Sequence, residues 1–202
     1  MPMKLNIGKT SLRINVSFAA VVTLMLILDE SGICAVGLFC CIIHETGHII
    51  CLAALGERPA SVELSFYGIK LERKEPSILT ASEELAVYAA GPAMNFILSA
   101  LLFILSKGHG EIKTAAVTSL CVGAFNLIPC RPLDGGNILF QVFSMLFKDG
   151  RAEKICKDIS YAILVPMAFA GLFMLFRSGN ITLAAVTVYL AVCVAERKRI
   201  SV

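Results

Sequence analysis

Charge is what this sequence has least of. Only 16% of its 202 residues are Asp, Glu, Lys or Arg, and 57% are hydrophobic, against about 25% and 45–50% in an ordinary soluble domain. That shortage excludes a conventional water-soluble enzyme and points to a chain that lives in lipid. No repeat with a period of about 20–50 residues is visible, so solenoids and propellers are excluded. The eight cysteines, Cys34, Cys40, Cys41, Cys51, Cys121, Cys130, Cys156 and Cys193, contain no C-x-x-C pair. Most lie inside apolar runs, where they read as small packing residues in a reducing setting rather than a disulfide framework or a zinc knuckle. Histidine is scarce as well, with three in the chain, so any cluster of it carries weight.

What the sequence does have is long apolar runs. Six approach the roughly 20 residues that cross a bilayer: Ile14–Leu28, Ile33–Leu55, Leu85–Leu105, Thr114–Ile128, Ile159–Phe176 and Ile181–Val194. The basic residues test that count, because Lys and Arg gather in the cytoplasmic loops. Lys4, Lys9 and Arg13 precede the first run; Arg58, Lys70, Arg73 and Lys74 follow the second. Arg131, Lys148, Arg151, Lys154 and Lys157 follow the fourth, and Arg197, Lys198 and Arg199 follow the sixth. Only Lys107, Lys113 and Arg177 fall on the other side. The alternation predicts six spans with both termini cytoplasmic, in the cell membrane. The net charge of +3 then reflects topology and gives no reason to expect nucleic acid. The first run has a basic start but no A-x-A-like cleavage site, so it reads as a span or signal anchor rather than a removed signal peptide. The stretch Lys148–Lys157 reads as a solvated cytoplasmic face against anionic lipid.

Within the second run, "CIIHETGHIICLAAL" places His44, Glu45 and His48 among residues that would dissolve in lipid. Ionisable groups there are expensive and mark function. Residues four apart share a helix face, so the imidazoles of His44 and His48 can hold one ion. Glu45 leans to the side of that face, within reach of a water. This is the H-E-x-x-H arrangement: two neutral imidazole ligands for one Zn²⁺ per chain, with the glutamate as general base. A catalytic zinc takes three protein ligands and a water. His109, in "SKGHGEIK", falls on the extracytoplasmic side, away from His48. Asp134, in "NLIPCRPLDGGN", emerges from the inward-running fourth span at the depth of His48 and is the preferred third ligand, with Cys130 as a softer rival. Pro129 and Pro132 interrupt the helix there, and Gly135 and Gly136 permit tight backbone after the acid.

These residues resemble the intramembrane site-2 protease family of zinc metalloproteases. The family is recognised by an H-E-x-x-H on one transmembrane helix and an N-x-x-P-x-x-P-L-D-G on a later one. Here those read His44-Glu45-Thr46-Gly47-His48 and Asn126 through Gly135, with a G-P-x-x-N between them at Gly91-Pro92-Ala93-Met94-Asn95. The resemblance covers roughly Ile33–Phe140. It implies that His44, His48 and Asp134 bind zinc, that Glu45 activates water, and that Asn126 faces the site against substrate or the developing oxyanion. The family often has a small aliphatic pair where Cys130 and Arg131 stand, so this loop departs from it. The spaces between spans are too short for the PDZ domain many relatives carry, and no CBS domain follows the last span. The expectation is a single transmembrane metalloprotease domain over residues 1–202, closest to the sporulation-type subgroup.

Two further segments complete the expectation. In "SVELSFYGIKLER", Val62, Leu64 and Phe66 alternate with polar residues, Tyr67-Gly68 marks a turn, and Ile69 and Leu71 alternate again, which predicts a short β-hairpin. It either pairs with an extended substrate through its edge or rests on lipid headgroups. Gly91-Pro92 is expected to bend the third span, with Asn95 as polar glue between helices. The expected fold is therefore an all-α polytopic membrane protein of about six transmembrane helices, with a hairpin after the second. The expected activity is hydrolysis of membrane-embedded or membrane-associated proteins near the cytoplasmic face, with the bilayer and a substrate as partners and room for a homo-oligomer or a regulatory membrane protein. An inert scaffold of the same fold and a zinc transporter are the alternatives; intact ligands speak against the first, and polarity concentrated at one place speaks against the second.

Overall fold

Apolar runs of this length have one local way to satisfy their peptide groups away from water, the α-helix. The computed structural model describes residues 3–7, 10–14, 16–57, 61–65, 68–72, 79–147 and 150–196. In chain order the elements are β1 (Met3–Ile7), β2 (Thr10–Ile14), α1 (Val16–Leu28), α2 (Ile33–Ala54), β3 (Ser61–Ser65), β4 (Gly68–Glu72), α3 (Ala81–Ser106), α4 (Gly110–Asn126), α5 (Asp134–Leu146), α6 (Arg151–Ser178) and α7 (Thr182–Glu196). They fall into two compact units, Met1–Gly123 and Ala124–Val202.

The first unit joins a sheet to helices. Strand order is β1-β2-β3-β4. β1 pairs antiparallel with β2, and β3 antiparallel with β4, where Val62 lies opposite Leu71 and Leu64 opposite Ile69. β2 and β3 run parallel, which requires a long crossover; α1 and α2 supply it. α3 begins at a capping box: the Thr80 hydroxyl accepts from the Glu83 backbone N–H at 3.3 Å, and the Glu83 carboxylate accepts from the Thr80 backbone N–H at 2.7 Å. The T-x-x-E signal is legible in the sequence, and it starts the helix four residues before the expected Leu85. α3 then continues through Pro92 without a break. It packs on α2 and is tied to α4 by two serines. Ser99 donates to the Ala116 carbonyl at 2.8 Å, and Ser119 donates to the Asn95 carbonyl at 2.9 Å.

The second unit is a helical cluster. Cys130, Leu164, Leu190 and Val194 form its buried core, α6 packs on α7, and α5 packs on α6. α6 begins at Arg151, well ahead of the expected Ile159, and its charged first turns still bury one stripe, Ala152, Cys156 and Ser160. The stretch expected to be a solvated face is, from Arg151 on, the start of an amphipathic helix with Lys154 exposed. Arg131, counted above among the cytoplasmic basic residues, is buried. Its guanidinium lies 4.2 Å from the centre of the Phe140 ring, 4.0 Å from the Glu153 carboxylate.

Two expectations are corrected. Among the described residues three helices, α2, α3 and α6, are long and apolar enough to cross a membrane, rather than six. α1, α4 and α7 have 13, 17 and 15 residues, or roughly 20–26 Å at 1.5 Å per residue against a hydrocarbon core of about 30 Å. α1 is short because the residues before it are taken by β2, and α5 was not expected as an element at all. An all-α chain with one hairpin is also corrected, since four strands form one sheet. The N-terminal pair was missed although Leu5 and Ile7, then Leu12 and Ile14, alternate across Gly8-Lys9. Tyr67 of the expected Tyr67-Gly68 turn and the basic residues Lys9, Arg58, Arg73, Lys74, Lys148, Arg197, Lys198 and Arg199 lie outside the described residues.

Candidate metal centre

The buried residues of α2 are Cys40, His44, Gly47, His48 and Leu52, a stripe at helical spacing. Those of α3 are Val87, Gly91, Pro92, Asn95 and Ser99, a second stripe. α2 turns its stripe to α3, so the histidines point into the helix pair. His44 and His48 are 4% and 6% exposed, too little for water to solvate them, and their polar atoms must be satisfied by protein or by an ion.

They are satisfied in a definite order. His48 donates from Nδ1 to the Val87 carbonyl at 2.7 Å. That bond fixes its tautomer and turns Nε2 inward as an electron-pair donor. Nε2 of His48 and Nε2 of His44 then lie 3.1 Å apart, with the rings edge to face. On the far side of His44, Nδ1 lies 3.5 Å from the Asn95 amide nitrogen. Space for both rings comes from Gly91. A Cβ at this position would overlap the His48 ring and would lie 2.7 Å from His44 Nε2. Gly47 does the same for the helix backbones, because a Cβ there would lie 2.6 Å from the Ala90 carbonyl oxygen.

Two buried imidazoles with converging Nε2 atoms, one already oriented by a carbonyl behind it, suit a zinc ion. Among the described residues Asn95 has its amide oxygen buried without a hydrogen-bond partner. Glu45 is half-buried beside His44 on α2. His109 is exposed past the end of α3, on the order of 17 Å further along that helix than Asn95.

The other expected site residues lie on the second unit. Asn126 is the last residue of α4 and Asp134 the first of α5, both half-buried. A carboxylate in the first turn of a helix is favoured by the backbone N–H groups there. The two glycines after it are required by close backbone: a Cβ on Gly135 would lie 2.7 Å from the Ile128 carbonyl oxygen, and one on Gly136 would lie 2.5 Å from the Arg131 nitrogen. Cys130, the rival ligand, is fully buried in the apolar core with Leu164 and Leu190, where it acts as a packing residue. Sequence reasoning missed Val87, whose contribution is a carbonyl and leaves no side-chain signal, and it gave Gly91 only a bending role.

Three helices long and apolar enough to cross a membrane and a pair of buried, converging imidazoles are what the comparisons with known proteins have to match. Residues 109–167 match the model of Peptidase family M50. A zinc metalloprotease of Methanocaldococcus jannaschii is 28% identical over 167 residues, 79% of this chain and 47% of that protein. Stage IV sporulation protein FB of Bacillus subtilis is 27% identical over 162 residues, 78% of this chain and 56% of that protein. The chain thus spans about half the length of these relatives. The solved site-2 protease from Methanocaldococcus jannaschii superposes with a TM-score of 0.70 over 97% of this chain and 94% of that one, at 24% identity, and shares its fold. This chain is thus similar, in part of its length, to Peptidase family M50 and to proteins named as zinc metalloproteases.

Proposed function

We propose that the chain is an intramembrane zinc endopeptidase, multi-pass in the cell membrane with both termini cytoplasmic, whose two compact units act as one metalloprotease domain. Its substrates are membrane-embedded or membrane-associated proteins, cut near the cytoplasmic face. His44, His48 and Asp134 hold one zinc; two imidazoles and one carboxylate are a donor set of the catalytic kind. Bound there, zinc supplies Lewis-acid polarisation and a water acidified to a pKa of about 7. Glu45, beside His44, takes a proton from the attacking water and delivers it to the leaving amine. Asn126 faces the reacting carbonyl as a hydrogen-bond donor. The observation that carries this reading is the pair of buried Nε2 atoms 3.1 Å apart, backed by Val87 and roofed by Gly91.

A peptide bond in a helix is hidden in its own hydrogen bonds, so a membrane substrate must unwind before hydrolysis. The sheet has two outer strands, β1 and β4, and an exposed strand edge supplies replacement partners. Exchange of Glu45 for Gln tests the mechanism. Cleavage of co-expressed single-span proteins should fall by at least about 100-fold, the scale of general acid–base catalysis, with one zinc per chain retained. Cleavage at the wild-type rate would remove Glu45 as the base; a purified wild-type chain without zinc would remove the whole reading.

A further inference from the structure

The described hydrogen bonds around the histidines are internally consistent for a centre whose rings share a proton. His48 Nδ1–H donates to the Val87 carbonyl, so with neutral rings His48 Nε2 is bare and the proton between the rings, 3.1 Å apart, sits on His44 Nε2, which leaves His44 Nδ1 to accept from the Asn95 amide nitrogen at 3.5 Å. Among the described residues the amide oxygen of Asn95 is buried without a partner. A cation between the rings requires both Nε2 atoms without hydrogen, so the proton of His44 must sit on Nδ1. It then faces a donor, the Asn95 amide nitrogen, which is the wrong partner. Turning the amide over exchanges two groups of nearly equal size. Oδ1 now accepts His44 Nδ1–H and gains the partner it lacks.

We propose that Asn95 is a positioning residue for the metal centre: its side-chain oxygen accepts the His44 Nδ1 proton when zinc is bound, fixing the tautomer that exposes Nε2 to the ion. The proton leaves His44 Nε2 and is carried on His44 Nδ1, so both rings stay neutral and the exchange is balanced. The proposal rests on the zinc reading above and deepens it. It gives the G-P-x-x-N segment one use for each polar or small group: Gly91 admits the rings and Asn95 orients the nearer one. The place of Asn95 is held independently of its side chain's partner. Ser119 bonds its main-chain carbonyl, and a Cβ on Gly123 would lie 3.1 Å from the Asn95 Cβ, so α4 presses the residue toward α2.

Polar glue between helices is the competing role, and Ser119 provides the control. The full chain in detergent is titrated with zinc against a chromophoric chelator, for wild type, Asn95→Asp, Asn95→Leu and Ser119→Ala. Asp keeps the acceptor and should bind zinc within a few-fold of wild type. Leu lacks it and should bind about 10–100-fold more weakly, as loss of such outer partners typically costs. Ser119→Ala removes an interhelical bond and should leave zinc affinity within a few-fold while lowering the melting temperature. Equal weakening in Asp and Leu, or wild-type affinity in Leu, overturns the proposal. Should the Leu variant fail to fold, the Asp variant decides alone: a loss beyond about 10-fold overturns it, and retention carries it. A wild-type chain that binds no zinc indicts the metal reading instead, which keeps the two failures apart.

Discussion

At the scale of single residues, the helix pair that carries His44 and His48 depends on two glycines that fail in different ways when enlarged. Gly91 faces side chains: the atoms a new Cβ would meet are ring atoms of His48 and His44, which can rotate aside at modest cost but then carry their Nε2 atoms out of position. Gly47 faces backbone, the Ala90 carbonyl, which can yield only if a helix moves. Gly91→Ala should therefore lower zinc affinity by at least about 10-fold with a small change in melting temperature. Gly47→Ala should destabilise the fold by about 1–3 kcal/mol. Zinc competition and thermal melts on the same two variants check both, and the reversed pattern would show that the rings are not what fills the space at Gly91.

At the scale of an element, α2 must begin at a defined residue if His44 and His48 are to face α3. Its N-cap is Gly32, whose backbone lies in the left-handed region at φ 73° and which offers no side-chain cap. Asp29 takes over that task from outside the helix. One carboxylate oxygen accepts the Cys34 N–H at 2.6 Å, and the other accepts the Ser31 hydroxyl at 2.6 Å and the Ser31 N–H at 3.1 Å. The Ser31 hydroxyl first, then the backbone N–H groups, holds this carboxyl below its ordinary range. A lowered pKa means that the contribution to stability is present above the unfolded carboxylate value of about 3.9 and is lost as pH falls below it. The protection of the Cys34 amide, its exchange rate set against the intrinsic rate at the same pH, should therefore be high at neutral pH and should fall as the solution is acidified through that range. In Asp29→Ala the protection should be low at both pH values, and a protected Cys34 amide in that variant would assign the cap elsewhere.

At the scale of the whole molecule, the proposed topology makes the ends of α3 and α6 sensitive reporters. That topology would put His109, between α3 and α4, on the extracytoplasmic side and Lys154, near the start of α6, on the cytoplasmic side. Both are exposed. Single cysteines placed there in a cysteine-free background, probed in intact cells with a membrane-impermeant thiol reagent, should label at 109 at once and at 154 only after permeabilisation. Equal labelling at both would remove the alternation of spans on which the orientation rests. The three long helices α2, α3 and α6 span about 33–42 Å at helical rise, enough to cross the hydrocarbon core. The shorter α1, α4 and α7, at about 20–26 Å, fall short of it.

What the sequence determined by itself was chemistry and period. His44 and His48 lie on one face because a helix returns every four residues, and an apolar run leaves such a pair no neutral explanation. The capping box at Thr80 and the alternation of Val62 with Leu64 are equally local, and so are legible without coordinates. The tertiary structure decided everything that depends on a partner distant in sequence. That β2 runs beside β3 is set across a crossover of two helices. That His48 is oriented by a carbonyl at Val87, 39 residues away, is a backbone contribution and so leaves no trace in residue type. Gly91 reads as a helix breaker until the imidazoles are found against it. Asn95 reads as glue until its leftover oxygen is seen beside a ring nitrogen. Local rules fix which groups a helix presents; only packing fixes what they meet.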